Sequence, residues 1–390
     1  MDNSVYVVKC PDYDHAEEKI RELFSMMGGI GSFASPHEKI LLKVNLLQPA
    51  KPELAITTNP AIVQAVAQIT KEQGSLPIIV DSPGSGDQYN EKALKTIYET
   101  CGMRQAAEAS GAQLNFDTTY RPVSFKKGKL IKHFDVITPL HNADCVFNLC
   151  KLKTHVFMGM TGAVKNCFGI IPGLMKPGYH ASLSDSKRFA EMLLDLSEYV
   201  SPRLSIMDAV IGLEGDGPGA GGVPRHIGLI LGSTNQLALD SIAAEIIGLP
   251  REHNPIVLAA EKRGLSPKGL EAIKLIGATL SELRIQNFKF PSKFFEGVGF
   301  GKLPWHQKLM LPFFKTGCAR TPHIKKEKCI ACGICRDSCP VKVISMQGGN
   351  RKYARINSKK CIRCYCCHEL CPEGAVELQE SFLFRKIIKS

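Results

Sequence analysis

A run of cysteines near the carboxyl end of the chain occurs twice. Cys329-Ile-Ala-Cys332-Gly-Ile-Cys335-Arg-Asp-Ser-Cys339-Pro340 recurs, displaced by 32 residues throughout, as Cys361-Ile-Arg-Cys364-Tyr-Cys-Cys367-His-Glu-Leu-Cys371-Pro372. Nine of the 15 cysteines lie between Cys329 and Cys371, while Cys10, Cys101, Cys145, Cys150, Cys167 and Cys318 are scattered. The chain has 390 residues, 44% of them hydrophobic, enough to bury sizeable cores in two or three domains. Cysteines this dense on so long and ordinary a chain point to metal or cluster binding rather than to a secreted disulfide framework.

Each copy spells C-x2-C-x2-C-x3-C-P. Three thiolates on one tight loop reach three corners of one iron–sulfur cube, and the fourth, held by the turn before proline, reaches the other cube. Cys329, Cys332, Cys335 and Cys371 then hold one [4Fe–4S] cluster, and Cys339, Cys361, Cys364 and Cys367 hold a second. The region 323–380 resembles a two-cluster bacterial ferredoxin, a small α+β domain. Zinc is the alternative for thiolates spaced two apart, but zinc motifs seldom use this triple spacing with Cys-Pro, twice over. Cys366 stands where the first copy has Ile334. It reads as a small buried hydrophobe, or as a spare thiol able to exchange as a ligand.

The charge is uneven in the same way. The formal net charge is +12, yet residues 315–390 hold 16 Lys+Arg against 6 Asp+Glu and the other 314 residues are nearly neutral. A basic surplus raises nucleic acid as a partner. Here it concentrates around the cysteines, where it faces the clusters or steers an acidic redox partner, and no helix-turn-helix accompanies it, so nucleic acid is disfavoured. The amino terminus lacks a signal-peptide pattern and no run of 18 apolar residues occurs, so a cytoplasmic protein without a membrane span is expected.

Upstream, apolar strands alternate with amphipathic helices. Strands are expected at 4–9, 39–45, 77–81, 143–149, 204–207 and 227–231, and helices to about Met27, from Asn59-Pro60 to Gly74, over 90–110, 185–200 and 236–247. This pattern predicts an α/β domain with a largely parallel sheet over residues 1–285. Residues 286–322 hold seven of the 18 phenylalanines and the only tryptophan, Trp305. They read as a packed linker, or as an aromatic arm for a partner. A basic tail, 381–390, ends the chain.

Polar residues gather where these strands end, the edge at which open α/β sheets bind ligands. Lys43 and Asn45 end one strand, Asp81 another and Asp208 a third. Lys151, Lys153 and His155 follow the strand 143–149 and share a face if it continues. In Thr161-Gly162-Ala-Val-Lys165-Asn166, glycine lets a helix start with free amides, to which Lys165 and Asn166 bring polar groups, a setting for a carboxylate or phosphate. His155 suits a proton shuttle or a metal ligand. Asp208 and the loop Glu214-Gly-Asp216-Gly-Pro218 offer carboxylates to a cation, or form a glycine-rich surface turn. Asp81-Ser-Pro-Gly84-Ser-Gly86 only faintly echoes a dinucleotide loop, because Tyr89 stands at its third glycine position. Taken singly, each of these residues also fits a solvated or locally satisfied side chain.

Residues 4–285 resemble the family catalogued as domain of unknown function 362. The matching features are Lys43-Val-Asn45, Lys151-Leu-Lys153-Thr-His155, Thr161-Gly162 with Lys165-Asn166 and Gly169, and Glu214-Gly-Asp-Gly-Pro218. Asp216 departs from the asparagine more usual there. The resemblance implies that a ferredoxin tail is a common companion, and it supplies no substrate.

These readings predict an iron–sulfur redox protein that passes electrons to or from a site on the α/β domain. In that site His155, Lys153 and Lys165 would act on an anionic substrate or cofactor bound by Lys43, Asn45, Asn166, Asp208 and Glu214. A further cofactor there is unspecified. The alternative is a non-enzymatic carrier or reductive activator that docks a partner metalloenzyme.

Overall fold

The computed structural model describes residues 2–84, 89–173, 175–291, 321–349 and 352–379. The first part opens with β1 (Ser4–Lys9), α1 (Ala16–Met26), β2 (Lys39–Lys43), α2 (Pro60–Glu72) and β3 (Leu76–Val80). Asn59 caps α2 through its side chain, with Pro60 at the first helical position. The helix expected over 90–110 is two, α3 (Glu91–Thr100) and α4 (Met103–Ser110), because Gly102 between them adopts a φ of 73°. Next come β4 (Gln113–Leu114), the hairpin β5 (Tyr120–Ser124) and β6 (His133–Ile137), β7 (Cys145–His155), β8 (Gly159–Thr161) and α5 (Ala163–Asn166). The chain continues through α6 (Met175–Ser182), α7 (Ser186–Val200), β9 (Leu204–Gly215), β10 (Gly222–Ser233) and α8 (Gln236–Ile247). It closes with α9 (Pro255–Lys262), β11 (Lys274–Ile276) and α10 (Leu280–Leu283).

Apart from the β5–β6 hairpin, which is a separate pair, these strands form one sheet in the order β11-β1-β10-β9-β7-β2-β3-β4, with β8 beside β7. The run β9-β7-β2-β3-β4 is parallel throughout, whereas β10 is antiparallel to both β9 and β1. The fold is thus α/β with a mixed, mostly parallel sheet, as expected. β7 and β9 outrun the apolar cores that predicted them, because their polar ends are themselves buried.

Alternation sends neighbouring strand residues to opposite faces. On one face Ile40, Leu42 and Phe147 pack with Ile20 and Leu23 of α1, Ile62 and Val66 of α2, and Leu94 of α3. On the other, Leu41 and Val146 meet Phe189 and Leu193 of α7, while Val5, Val7 and Leu152 meet Leu239 and Ile242 of α8. Covered on both faces, the sheet can take ligands only at its edges and strand ends. Phe288 joins the core under α8, so the described start of the aromatic stretch, 286–291, packs on this domain. The rest of that stretch, 292–320, and the tail 381–390 lie outside the described residues.

The second part is small. β12 (Thr321–Ile324) pairs antiparallel with β15 (Val376–Gln379), and β13 (Ile344–Gln347) with β14 (Tyr353–Ile356). Each cysteine copy carries one short helix, α11 (Ile334–Asp337) in the first and α12 (Cys366–Glu369) in the second. Ile324, Ile344, Ala354 and Val376 form its core with Cys335, Cys367 and Cys371.

Candidate functional site

The cysteines sort into two hollows. One is lined by Cys329, Cys332, Cys335 and Cys371, and the other by Cys339, Cys361, Cys364 and Cys367 together with Cys366. The fourth thiol of each copy thus crosses to the other copy's hollow, as the spacing predicts. Among the described residues no three His, Cys, Asp or Glu side chains converge closely enough for a single metal ion. Thiols spread around a hollow match a cube rather than a zinc ion, whose four sulfurs would sit about 2.3 Å from one point. Burial pushes the Cys335 thiol up to about 12, and Cys332, Cys371 and Cys329 push it further in the same direction. Burial and then Cys364 and Cys361 drive Cys367 well above the usual thiol range. Bound iron would hold such a crowd as thiolates. Cys366 is buried, its Sγ 4.0 Å from the Cys364 carbonyl oxygen.

At the carboxyl ends of β2, β3 and β7, four of the expected site residues form one connected network. Lys43 Nζ lies 2.8 Å from Asp81 Oδ1 and donates to the Val44 carbonyl, while Asp81 Oδ2 accepts from the Leu46 amide. Asn166 donates to the Lys43 carbonyl and accepts from Asn45 Nδ2. Asn45 Oδ1 accepts from Lys153 Nζ at 2.8 Å, and the same ammonium donates to the Ile56 carbonyl. Burial pushes Lys153 well below the usual lysine range, and the charges of Lys165 and Lys151 push it the same way. A Cβ on Gly169 would sit 2.2 Å from Asp81 Oδ1 and 2.5 Å from Lys43 Nζ, so only glycine admits this pair.

Lys165 and His155 flank that network. His155 is fully buried, and its Nδ1 accepts from the Phe157 and Met158 amides at 3.1 and 3.3 Å. The proton of the neutral ring therefore sits on Nε2. Burial and the Lys165 charge hold the imidazole well below its usual range. Burial also lowers Lys165, against the carboxylate of Glu369, and among the described residues its ammonium has no hydrogen-bond partner. His180 of α6 lies beyond, its ring 4.4 Å from that of Phe189 and flanked by Phe157 and Phe168, and burial pushes it down to about 3.

Asp208 and Glu214 do not join this network. Asp208 Oδ2 takes Lys151 Nζ at 2.7 Å and the Asn59 amide, and Oδ1 accepts from the Tyr13 hydroxyl. Glu214 Oε2 accepts from the Lys289 amide, joining residues 286–291 to β9. The expectation of free amides at the start of α5 is overturned. Asp240 of α8 accepts from the Ala163 and Val164 amides at 2.6 and 3.0 Å, so a protein carboxylate already fills that place. The sequence offered no sign of this, since Asp240 lies 77 residues away inside an apolar helix.

The small domain seats on the strand ends through α12. His368 spans the junction, with Nδ1 2.6 Å from the Val376 carbonyl oxygen and Nε2 3.0 Å from that of Asp216. Tyr365 packs with Val156 and Leu378. Glu369 Oε1 lies 3.3 Å from His155 Nε2, both groups buried. A Cβ on Gly219 would lie 2.3 Å from the Glu369 carbonyl oxygen, so the glycine-rich loop is a seat for this helix rather than a solvated turn.

Residues 40–245 match the family described as a domain of unknown function (DUF362), and residues 328–375 match the 4Fe-4S dicluster domain. The chain belongs to the DUF362 family. It is 33% identical over 300 residues to the thylakoid-associated protein sll1697 of Synechocystis sp., across 75% of this chain and 88% of that protein. Among solved structures, the lactate racemase apoprotein of Thermoanaerobacterium thermosaccharolyticum aligns at 10% identity with a TM-score of 0.40, over 64% of this chain and 58% of that one. This DUF362 member therefore carries a 4Fe–4S ferredoxin-type domain. Its α/β site is known from geometry alone.

Two predictions separate the framework from the site. Lys151→Met leaves Asp208 buried without its cation and is expected to cost about 3–5 kcal/mol in a urea titration, much of it restored by adding Asp208→Leu. A loss below about 1 kcal/mol would contradict that structural role. Because the folded-state pKa of His180 is depressed to about 3, its stabilising contribution is present above pH 6.5 and is lost as pH falls toward 3. His180→Phe should flatten the acid limb of stability by up to about 1.4 kcal/mol per pH unit, and an unchanged slope would refute the assignment.

Proposed function

We propose that this protein is a cytoplasmic iron–sulfur redox protein holding two [4Fe–4S] clusters, with electrons passing between the second cluster and an anion-binding cleft on the α/β domain. The observation that supports this reading is the pair of cysteine-lined hollows, the second of them belonging to the copy whose helix α12 brings Glu369 against His155. Bound there, such clusters supply one-electron transfer at low potential. The chain's own residues do the rest. Lys43, Asn45, Lys153 and Asn166 hold a rigid polar floor, Lys165 supplies positive charge that Glu369 offsets in part, and His155 Nε2 carries a proton at a fixed atom. A substrate or cofactor with a negative group fits that set, and fusion to the cluster domain keeps donor and acceptor at high effective concentration.

The two copies divide the work. In the second, His368 and Glu369 are buried against the α/β domain. In the first, the equivalent Arg336 and Asp337 are exposed and pair with each other, Ile330 is 60% exposed and Cys332 is exposed. The open first copy is where a redox partner would exchange electrons. Without a substrate in the cleft, the same arrangement serves a carrier that delivers electrons to another protein. No helix among the described residues is long and apolar enough to cross a membrane.

Anaerobic reconstitution of the full chain should yield about eight irons and eight sulfides, and Cys364→Ser with Cys367→Ser should leave about four of each and a single-cluster EPR signal. Two bound zinc ions and no sulfide would sink the proposal.

A further inference from the structure

We propose that Glu369 is a carboxylate of the chain's own, seated where the cleft takes its ligand, and that the ligand is a small carboxylate which must displace it. This rests on the anion-binding reading of the cleft and adds both the ligand class and the device that gates it.

Three observations carry the inference. First, His155 Nε2 and Glu369 Oε1 are both buried without a hydrogen-bond partner, although they face each other 3.3 Å apart. The backbone amides on Nδ1 leave the ring proton on Nε2, close to that oxygen but not aligned with it. Buried donors and acceptors are normally satisfied, so an approach that stops short of a hydrogen bond marks a poor structural tie and a replaceable one. Second, Lys165 of α5 is half-buried without a hydrogen-bond partner among the described residues, and the charge of Glu369 favours its protonated form. An imidazole 3.3 Å from the carboxylate, with this cation's charge acting on it, makes a setting for a carboxylate that is filled from within. Third, the repeat supplies an internal control. The ferredoxin-type scaffold needs no inward acid at this position, because the first copy's Asp337 is exposed and pairs with its neighbour Arg336. The second copy differs by turning its acid into the cleft.

A tethered carboxylate competes at an effective concentration in the millimolar range, so an external one binds weakly until the internal one is removed. The test uses anaerobically reconstituted full-length protein, with [13C]acetate binding followed by NMR titration and acetate protection by thermal shift. Visible circular dichroism of the clusters checks that each variant keeps its fold. Glu369→Ala should bind acetate at least about tenfold more tightly than wild type and gain acetate-dependent thermal protection. Adding Lys165→Ala should abolish both gains. If Glu369→Ala binds acetate no better than wild type while Lys165→Ala weakens it in both, the cleft binds anions but Glu369 is not a stand-in. If no Lys165-dependent binding occurs in any variant, the anion-cleft reading fails as well. Inorganic phosphate bound more tightly than acetate by Glu369→Ala would overturn the carboxylate assignment.

Discussion

Burying an ammonium without a counter-charge is among the costliest things a fold can do, and this one buries several at the ends of β2 and β7. Each finds a different answer. Lys151 meets Asp208 within the neighbouring strand β9, and Lys43 meets Asp81 just beyond the end of β3. Lys153 meets only neutral oxygens, from Asn45 and Ile56. For Lys165 the α/β domain supplies no hydrogen-bond partner among the described residues, and the compensating carboxylate arrives from the other domain on α12. The charge of Glu369 therefore adds to contacts of His368, Tyr365 and Gly219 that seat the cluster domain at the strand ends.

Much of this was legible in the residues. Each hollow is lined by the four thiols that the cysteine spacing groups together, and the second also by Cys366, which the spacing leaves out. Lys43, Asn45 and Lys153, read from strand ends, share a network with Asn166, read from the glycine-rich segment. What escaped were partners distant in sequence. Asp240 reaches α5 from an almost wholly apolar helix, and nothing in its neighbours distinguishes it from a helix-surface acid. Asp208 and Glu214 sit at the predicted edge, but their oxygens are consumed by the framework, which periodicity cannot reveal. The free-amide expectation failed for the same reason, since a helix start shows its amides in sequence and conceals the carboxylate that caps them.

Glu369 falls between these cases. It occupies an ordinary spacer position in the cysteine motif, and its meaning emerges only when the copies are compared. Arg336-Asp337 and His368-Glu369 hold equivalent places, yet one pair neutralises itself in solvent and the other faces Asp216 and His155. Duplication supplies two similar surfaces, and docking requires only one of them to change. The glycines of the 215–222 loop complete the fit from the other side, since a side chain at Gly219 would collide with the backbone of α12.

Electron transfer imposes opposite demands on two such surfaces. A cluster serving an internal site gains from a rigid, dry seat, where buried contacts fix distance and exclude water; one serving a diffusing partner must stay accessible. On the proposed reading, the burial of His368 and Glu369 in the second copy and the exposure of Ile330 and Cys332 in the first would meet both demands within one duplicated unit. A seat held by His368, Tyr365 and the glycine loop does not depend on Glu369 for its strength. On the proposed reading, Glu369 would exchange for a ligand while α12 stays in place, and occupancy and docking would not exclude one another.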